Sequence, residues 1–321
     1  MKKVLSLIAL LLVAATVFCS CAMLPKPAEG LKIVCSTFVE YDFIRNIIGS
    51  DDNVILLNKN GSDMHSFEPS AKDIVQIRTA KMFVYVGGAS DIWVERVISS
   101  TDNPDLKSVA LVDYVETLSL EDVETMEYGS RHGHDHSEHD HGHSPEDADE
   151  HVWLSVRNAI EIVNGLCDDI CKIDPENSEE YRANKAAYVA ELEALEDEYE
   201  KVFTQSERNV ILFADRFPFG YLTHDYGVSH LAAFTGCSSE SEITAETFAH
   251  LIEHTKELDL PYVLKLDGSD GKTAQTVCDA TGAKALTVDS LQSVSLKDIE
   301  CGTNYLDTMK NNLEIFKEAL N

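Results

Sequence analysis

The sequence predicts an α/β protein of two lobes, each built on a four-stranded, mostly parallel sheet and joined by a single long helix. Three observations carry this reading. Short apolar runs alternate with amphipathic helical stretches in the first half of the 321 residues, and the same rhythm returns in the second half. Between the halves, residues 175–204 contain no Gly, and no Pro after Pro175.

In the first half, residues 31–36 (LKIVCS), 53–57, 81–86 (KMFVYV) and 108–112 read as buried strands. Helices are expected between them at 38–48, with Gly49 at the end, at 70–79, and at 91–99. Ser70 is a candidate cap for the second, with Asp73 three residues on. Residues 155–171 follow as an amphipathic helix. The stretch 175–204 is rich in strong helix formers, with Tyr181, Ala187, Tyr188, Leu192, Leu195, Tyr199 and Phe203 mostly at three- or four-residue steps. One helix of roughly 28 residues, about 40 Å long, is long enough to span two lobes. In the second half, 209–214 (NVILFA), 228–233, 262–266 and 285–288 alternate with helices at 221–226, 245–258 and 272–281, and a helix at 304–320 closes the chain. Ligands of such sheets bind at the carboxyl ends of the strands, here in the cleft between the lobes.

The organisation expected is a signal at 1–21, a tether at 22–30, a first lobe at 31–174, the link at 175–204 and a second lobe at 205–321. Met1-Lys2-Lys3, an apolar run over 4–18 and Cys19-Ser20-Cys21 describe a secretory signal, too short for a membrane span. The segment resembles a bacterial lipoprotein signal, which implies cleavage after Ser20 and lipidation of Cys21. A formal net charge of −30 argues against nucleic acid, which needs a basic footprint, and favours a surface that attracts cations. Six further cysteines remain, and Cys167 and Cys171, one helical turn apart, read as core residues rather than a bridge.

Residues 129–150 form a His-rich acidic loop. His132, His134, His136, His139, His141 and His143 sit among carboxylates with Arg131 as the one basic residue, a composition that cannot bury a core. Neutral imidazole is a standard zinc ligand. The loop therefore reads as a metal-attracting segment of transient ligands. It ends where apolar residues resume at His151-Val152-Trp153-Leu154, so His151 reads as one fixed ligand.

The order of motifs is more specific than any one of them: the lipoprotein-like start, Gly61-Ser62-Asp63-Met64-His65-Ser66-Phe67-Glu68-Pro69, the His-rich insertion, then Asp149-Glu150-His151-Val152-Trp153-Leu154. Over nearly the whole mature chain this resembles the zinc-uptake solute-binding lipoproteins of ABC transporters. The resemblance implies extracytoplasmic capture of a divalent metal by a protein anchored to the cell membrane, delivery to a permease, and no catalysis. It carries ligand roles to His65 and His151. The family's third ligand falls on Arg216, whose guanidinium has no lone pair to give a metal. Glu240, Glu242, Asp215 and Asp289 are the carboxylates that could fill that gap. Asp289 resembles the family's acidic ligand after the last strand, Glu240 is the further choice, and Arg216 is expected to orient one of these carboxylates. Two imidazoles with oxygen donors suit zinc, and manganese is the alternative. A surface adhesin is another reading, without a sequence feature that names a partner. A metallohydrolase reading rests on His250-Leu251-Ile252-Glu253-His254, a His-x-x-Glu-His pattern that places two imidazoles on one helix face.

Overall fold

The computed structural model describes residues 30–125, 148–235 and 243–321. Strands β1 (Ile33–Cys35), β2 (Val54–Leu56), β3 (Met82–Tyr85) and β4 (Lys107–Ala110) form one sheet in the order β2-β1-β3-β4. Strands β5 (Val210–Phe217), β6 (Ser229–Thr235), β7 (Tyr262–Leu266) and β8 (Lys284–Val288) form a second in the order β6-β5-β7-β8. Every pairing is parallel, as crossover helices demand. The expected class, two parallel α/β lobes with one connecting helix, is the class observed.

Local chemistry explains the helix ends. Phe38–Ile48 stops at Gly49, whose φ of 77° suits a residue without a Cβ. Ser70 and Asp73 form a reciprocal capping box on Ala71–Arg78, each side chain accepting from the other residue's backbone N–H. The linking helix runs Ser178–Gln205, preceded by a 3-10 turn at Pro175–Asn177. Its buried residues are Tyr181, Tyr188, Leu192, Leu195, Tyr199 and Phe203. Ala187, expected on the same stripe, is exposed, because one residue from Tyr188 is a rotation of about 100°.

The linking helix touches both lobes. Near its start Tyr188 packs on Phe43 at a ring-centroid distance of 6.4 Å, and Asn184 Nδ2 donates to Ile47 O. Near its end Phe203 packs on Phe316 at 5.6 Å, and Tyr199 Oη donates to Met309 O. One continuous apolar cluster consequently runs from Ile33 and Phe43 through Tyr199 to Phe213 and Val288. The lobes also meet directly: Leu296 N donates to Lys59 O, and Asn60 bridges Ser295.

Strand β5 is longer than the expected run 209–214, continuing to Phe217. It lies between β6 and β7, and its register on β6 shifts between Phe213 and Arg216. Such a bulge bends a strand and re-aims its side chains, and bulges concentrate near functional sites. Asp215 sits inside the irregularity, with Oδ1 accepting from Arg216 N and Oδ2 from Leu266 N on β7. It serves backbone groups there. The sulfurs of Cys167 and Cys171 are 4.0 Å apart and both residues are buried, as core thiols rather than a bridge. No helix of the described residues is long and apolar enough to cross a membrane.

Candidate metal site

His65 follows β2 on a 3-10 turn, Met64–Ser66. Asp63 caps that turn, its Oδ1 accepting from His65 N at 2.9 Å. His151 begins the second half of the site, just before the 3-10 turn Val152–Leu154. Asp149 plays the same part here, with Oδ1 accepting from His151 N at 3.0 Å. An Asx-type carboxylate thus fixes the backbone of each histidine.

The imidazoles are then fixed by a second pair of contacts. Asp149 Oδ1 lies 2.6 Å from His151 Nδ1, and Glu150 Oε1 lies 3.1 Å from His65 Nδ1. A carboxylate beside Nδ1 selects the tautomer with its proton there, and so presents Nε2 as the electron-pair donor. Two consecutive acidic residues therefore hold two histidines 86 positions apart in the same electronic state (151 minus 65). The rings stand 5.9 Å apart between centroids. Two imidazoles sharing a tetrahedral ion at about 2.0–2.1 Å have centroids roughly 5 Å apart, so a small adjustment would complete that geometry.

Among the described residues, His65, Glu150 and His151 are the group whose ligand atoms converge, all within 4.8 Å of one another. Glu150 Oε2 accepts from Ser90 N at 2.9 Å and also from Ser90 Oγ. Burial raises the Glu150 pKa, but the hydrogen bonds from His65 and Ser90 and the electrostatic effect of the neighbouring His151 outweigh it, leaving the carboxyl below its ordinary range. The anion is thus the stable form. Gly88 makes room for it: with φ of 84°, a Cβ there would lie 2.9 Å from Glu150 Cβ.

Burial sets access. His151 and Glu150 have 3% and 5% of their side-chain surface exposed, whereas His65 has 21%. The group opens to solvent through His65.

Residues from beyond the linking helix lock the His151 segment. Trp153 Nε1 donates to Ser290 O at 3.0 Å, and Tyr221 Oη donates to Asp149 O at 2.6 Å. Tyr305 Oη donates to Trp153 O at 2.6 Å. Gly220 approaches so closely that a Cβ would lie 2.8 Å from Asp149 Oδ2. The loop after β8 that receives Trp153 is itself strained, since buried Leu291 holds a φ of 62°.

Asp289 starts that loop, but it does not belong to the converging group. Its Oδ1 accepts from Leu291 N at 2.7 Å. Burial raises its pKa, with Asp267 and Asp298 adding to the effect. Glu240 and Glu242 lie outside the described residues, as do the loop histidines 132–143 and Cys21. Arg216 reaches Asp63, with Nη1 3.3 Å from Asp63 Oδ2. Asp63 is the residue that caps the His65 turn, so through this contact Arg216 acts on the histidine at one remove. Both side chains are about one-third exposed, so the pair is a weak tether. A polar cavity of about 400 Å³ opens beside it, lined by Asp63, Arg216, Asp267, Ser269, Asp270 and Ser293 among others.

In the sequence Asp149 and Glu150 stand only as the setting of His151. Two carboxylates immediately before a candidate ligand were the readable signal for partners that orient imidazoles.

Two parallel lobes, one long helix and a carboxylate-oriented imidazole pair define a two-lobed metal-binding protein. The chain belongs to the family described as zinc-uptake complex component A periplasmic, ZnuA, whose model matches residues 33–319. It is 31% identical over 320 residues to the zinc-binding lipoprotein AdcA of Streptococcus pneumoniae, covering 99% of this chain and 61% of AdcA. It is 30% identical over 292 residues to the high-affinity zinc uptake system protein ZnuA of Bacillus subtilis, covering 91% and 88%. The Zn(II)-bound ZnuA-like domain of S. pneumoniae AdcA superposes with a TM-score of 0.72 at 27% identity, covering 91% of this chain and 99% of that domain. The chain spans 56–61% of the length of the AdcA proteins it matches.

Proposed function

We propose that this protein captures a divalent transition metal, zinc in preference to manganese, in the cleft between its lobes and delivers it to the membrane permease of an ABC importer. The observation that carries the proposal is the paired arrangement at Nδ1: Asp149 on His151 and Glu150 on His65 leave each Nε2 as the donor, and ligand atoms of the two histidines and Glu150 lie within 4.8 Å of one another. Such carboxylate–histidine pairs raise ligand basicity, and imidazole donors favour zinc over manganese, which prefers a larger share of oxygen. The zinc-binding names of the relatives support the same metal.

In this reading His65 and His151 are the first-lobe ligands. Asp289 and Glu240 are the second-lobe ligands, brought in as the metal closes the lobes on itself. Asp289 is well placed to join, because Ser290 beside it already holds Trp153. The division runs 31–174 for the first lobe, 175–204 for the link and 205–321 for the second lobe. Cys21 carries a lipid anchor outside the cytoplasm after removal of the preceding signal residues, and 22–30 form the tether. Histidines 132–143 of the His-rich loop gather metal and pass it to the fixed site.

Metal content and competitive titration test this on the full chain and on a deletion of 131–144. The expected result is one tightly held zinc in both proteins, not displaced by equal manganese. The deletion should bind fewer zinc ions at saturation and load more slowly when zinc is scarce. Manganese preference would overturn the choice of metal. An equal loss of tight-site affinity in the deletion would overturn the division of labour between loop and cleft.

A further inference from the structure

A second imidazole pair lies on the helix Ala245–Glu257 of the second lobe. His250 and His254 are one turn apart, which brings side chains onto the same helix face. Their Nε2 atoms are 3.0 Å from each other, and the rings meet edge to face at 81° with centroids 4.3 Å apart. Two nitrogens this close share one proton, donated by one ring and accepted by the other. A metal ion can replace that proton. With metal–nitrogen bonds of about 2.0–2.1 Å in a tetrahedral arrangement, two ligands sit roughly 3.3 Å apart, a few tenths of an ångström from the distance found.

The surroundings favour a cation. Glu257 Oε2 lies 3.1 Å from His254 Nδ1, placing a carboxylate charge beside the pair. His250 is exposed and Glu257 has 60% of its side-chain surface in solvent, so an ion has open access. Among the described residues no third His, Cys or carboxylate joins the pair. A hydrolytic zinc centre uses three protein ligands, so water would fill the remaining positions of this one.

We infer that His250 and His254 form a surface chelate for a borderline divalent cation such as zinc, copper or nickel, with the Glu257 carboxylate as a neighbouring charge that favours the bound ion. The inference rests on this helix alone and stands whether or not the cleft reading holds.

The test uses the full chain with nitrogen-labelled histidine, titrated with zinc beyond the first equivalent while imidazole resonances are followed. Spectra of His250→Gln and His254→Gln assign the two Nε2 signals. Both signals should move together with a common midpoint. In His250→Gln the His254 signal should move at least tenfold later. Glu257→Gln removes only a screened charge and should raise the midpoint a few-fold, less than loss of either imidazole, while the tightest zinc per chain stays bound. His250 and Glu257 are exposed, so those two variants fold even if His254→Gln does not. Static resonances once the other sites are saturated would overturn the inference. So would two signals that move with separate midpoints, indifferent to loss of the partner.

Discussion

His151→Ala is expected to weaken zinc binding at the tightest site by at least ~100-fold, beyond the ~10–100-fold typical of losing an outer partner. The imidazole is almost fully buried and aimed by Asp149, so water entering its place restores neither the donor nor its orientation. His65→Ala should act in the same direction. Asp149→Asn separates the two contributions. An amide oxygen can still accept from His151 N, keeping the turn, but it no longer offers a carboxylate to Nδ1. Its expected loss is ~10–100-fold, smaller than that of the ligand itself. Competition against a chromophoric chelator measures all three. An affinity within about threefold of the parent in His151→Ala would contradict the role given to that residue, since a threefold change is under 1 kcal/mol.

Trp153→Ala is expected to lower stability by about 3–5 kcal/mol, the range for truncating a large core aromatic. Trp153 is 1% exposed, and its Nε1–H ties the first-lobe segment to Ser290 beyond the linking helix. Trp153→Phe keeps most of the ring and drops the donor. Its smaller loss should include roughly 1–3 kcal/mol for leaving a buried carbonyl unpaired. Urea unfolding with shared slopes reports both values. A change below about 1 kcal/mol in Trp153→Ala would mean that the segment carrying His151 is not held by this core.

The sequence made the two-lobe architecture readable because each apolar run is bounded by polar or Gly-containing stretches. The helix Phe38–Ile48, the strand Tyr262–Leu266 and the helix Lys272–Thr281 fall at the bounds expected. Strand β5 extends beyond the run expected because charged Asp215 and Arg216 interrupt the apolar residues before Phe217. Pairing with β6 through a bulge extends it, and pairing across a sheet leaves no periodic trace in one strand. The histidines His65 and His151 stood out through their motifs, and their rings do meet. Which nitrogen each presents was not legible. That depends on Glu150 reaching His65 across 85 positions (150 minus 65), a long-range contact that composition and spacing do not encode. The Arg216–Asp63 contact spans 153 positions and was hidden for the same reason. His250 and His254 were visible as a helical pair, whereas the Nε2 approach and the Glu257 contact needed side-chain positions.

The most direct measurement is a crystal structure of the zinc-loaded protein with anomalous diffraction recorded at the zinc edge. The account expects a zinc peak about 2.0–2.1 Å from Nε2 of both His65 and His151, with Glu150 and Asp149 still on the Nδ1 side. Zinc bound through either Nδ1, or a strongest peak that touches only one of these two histidines, would contradict it.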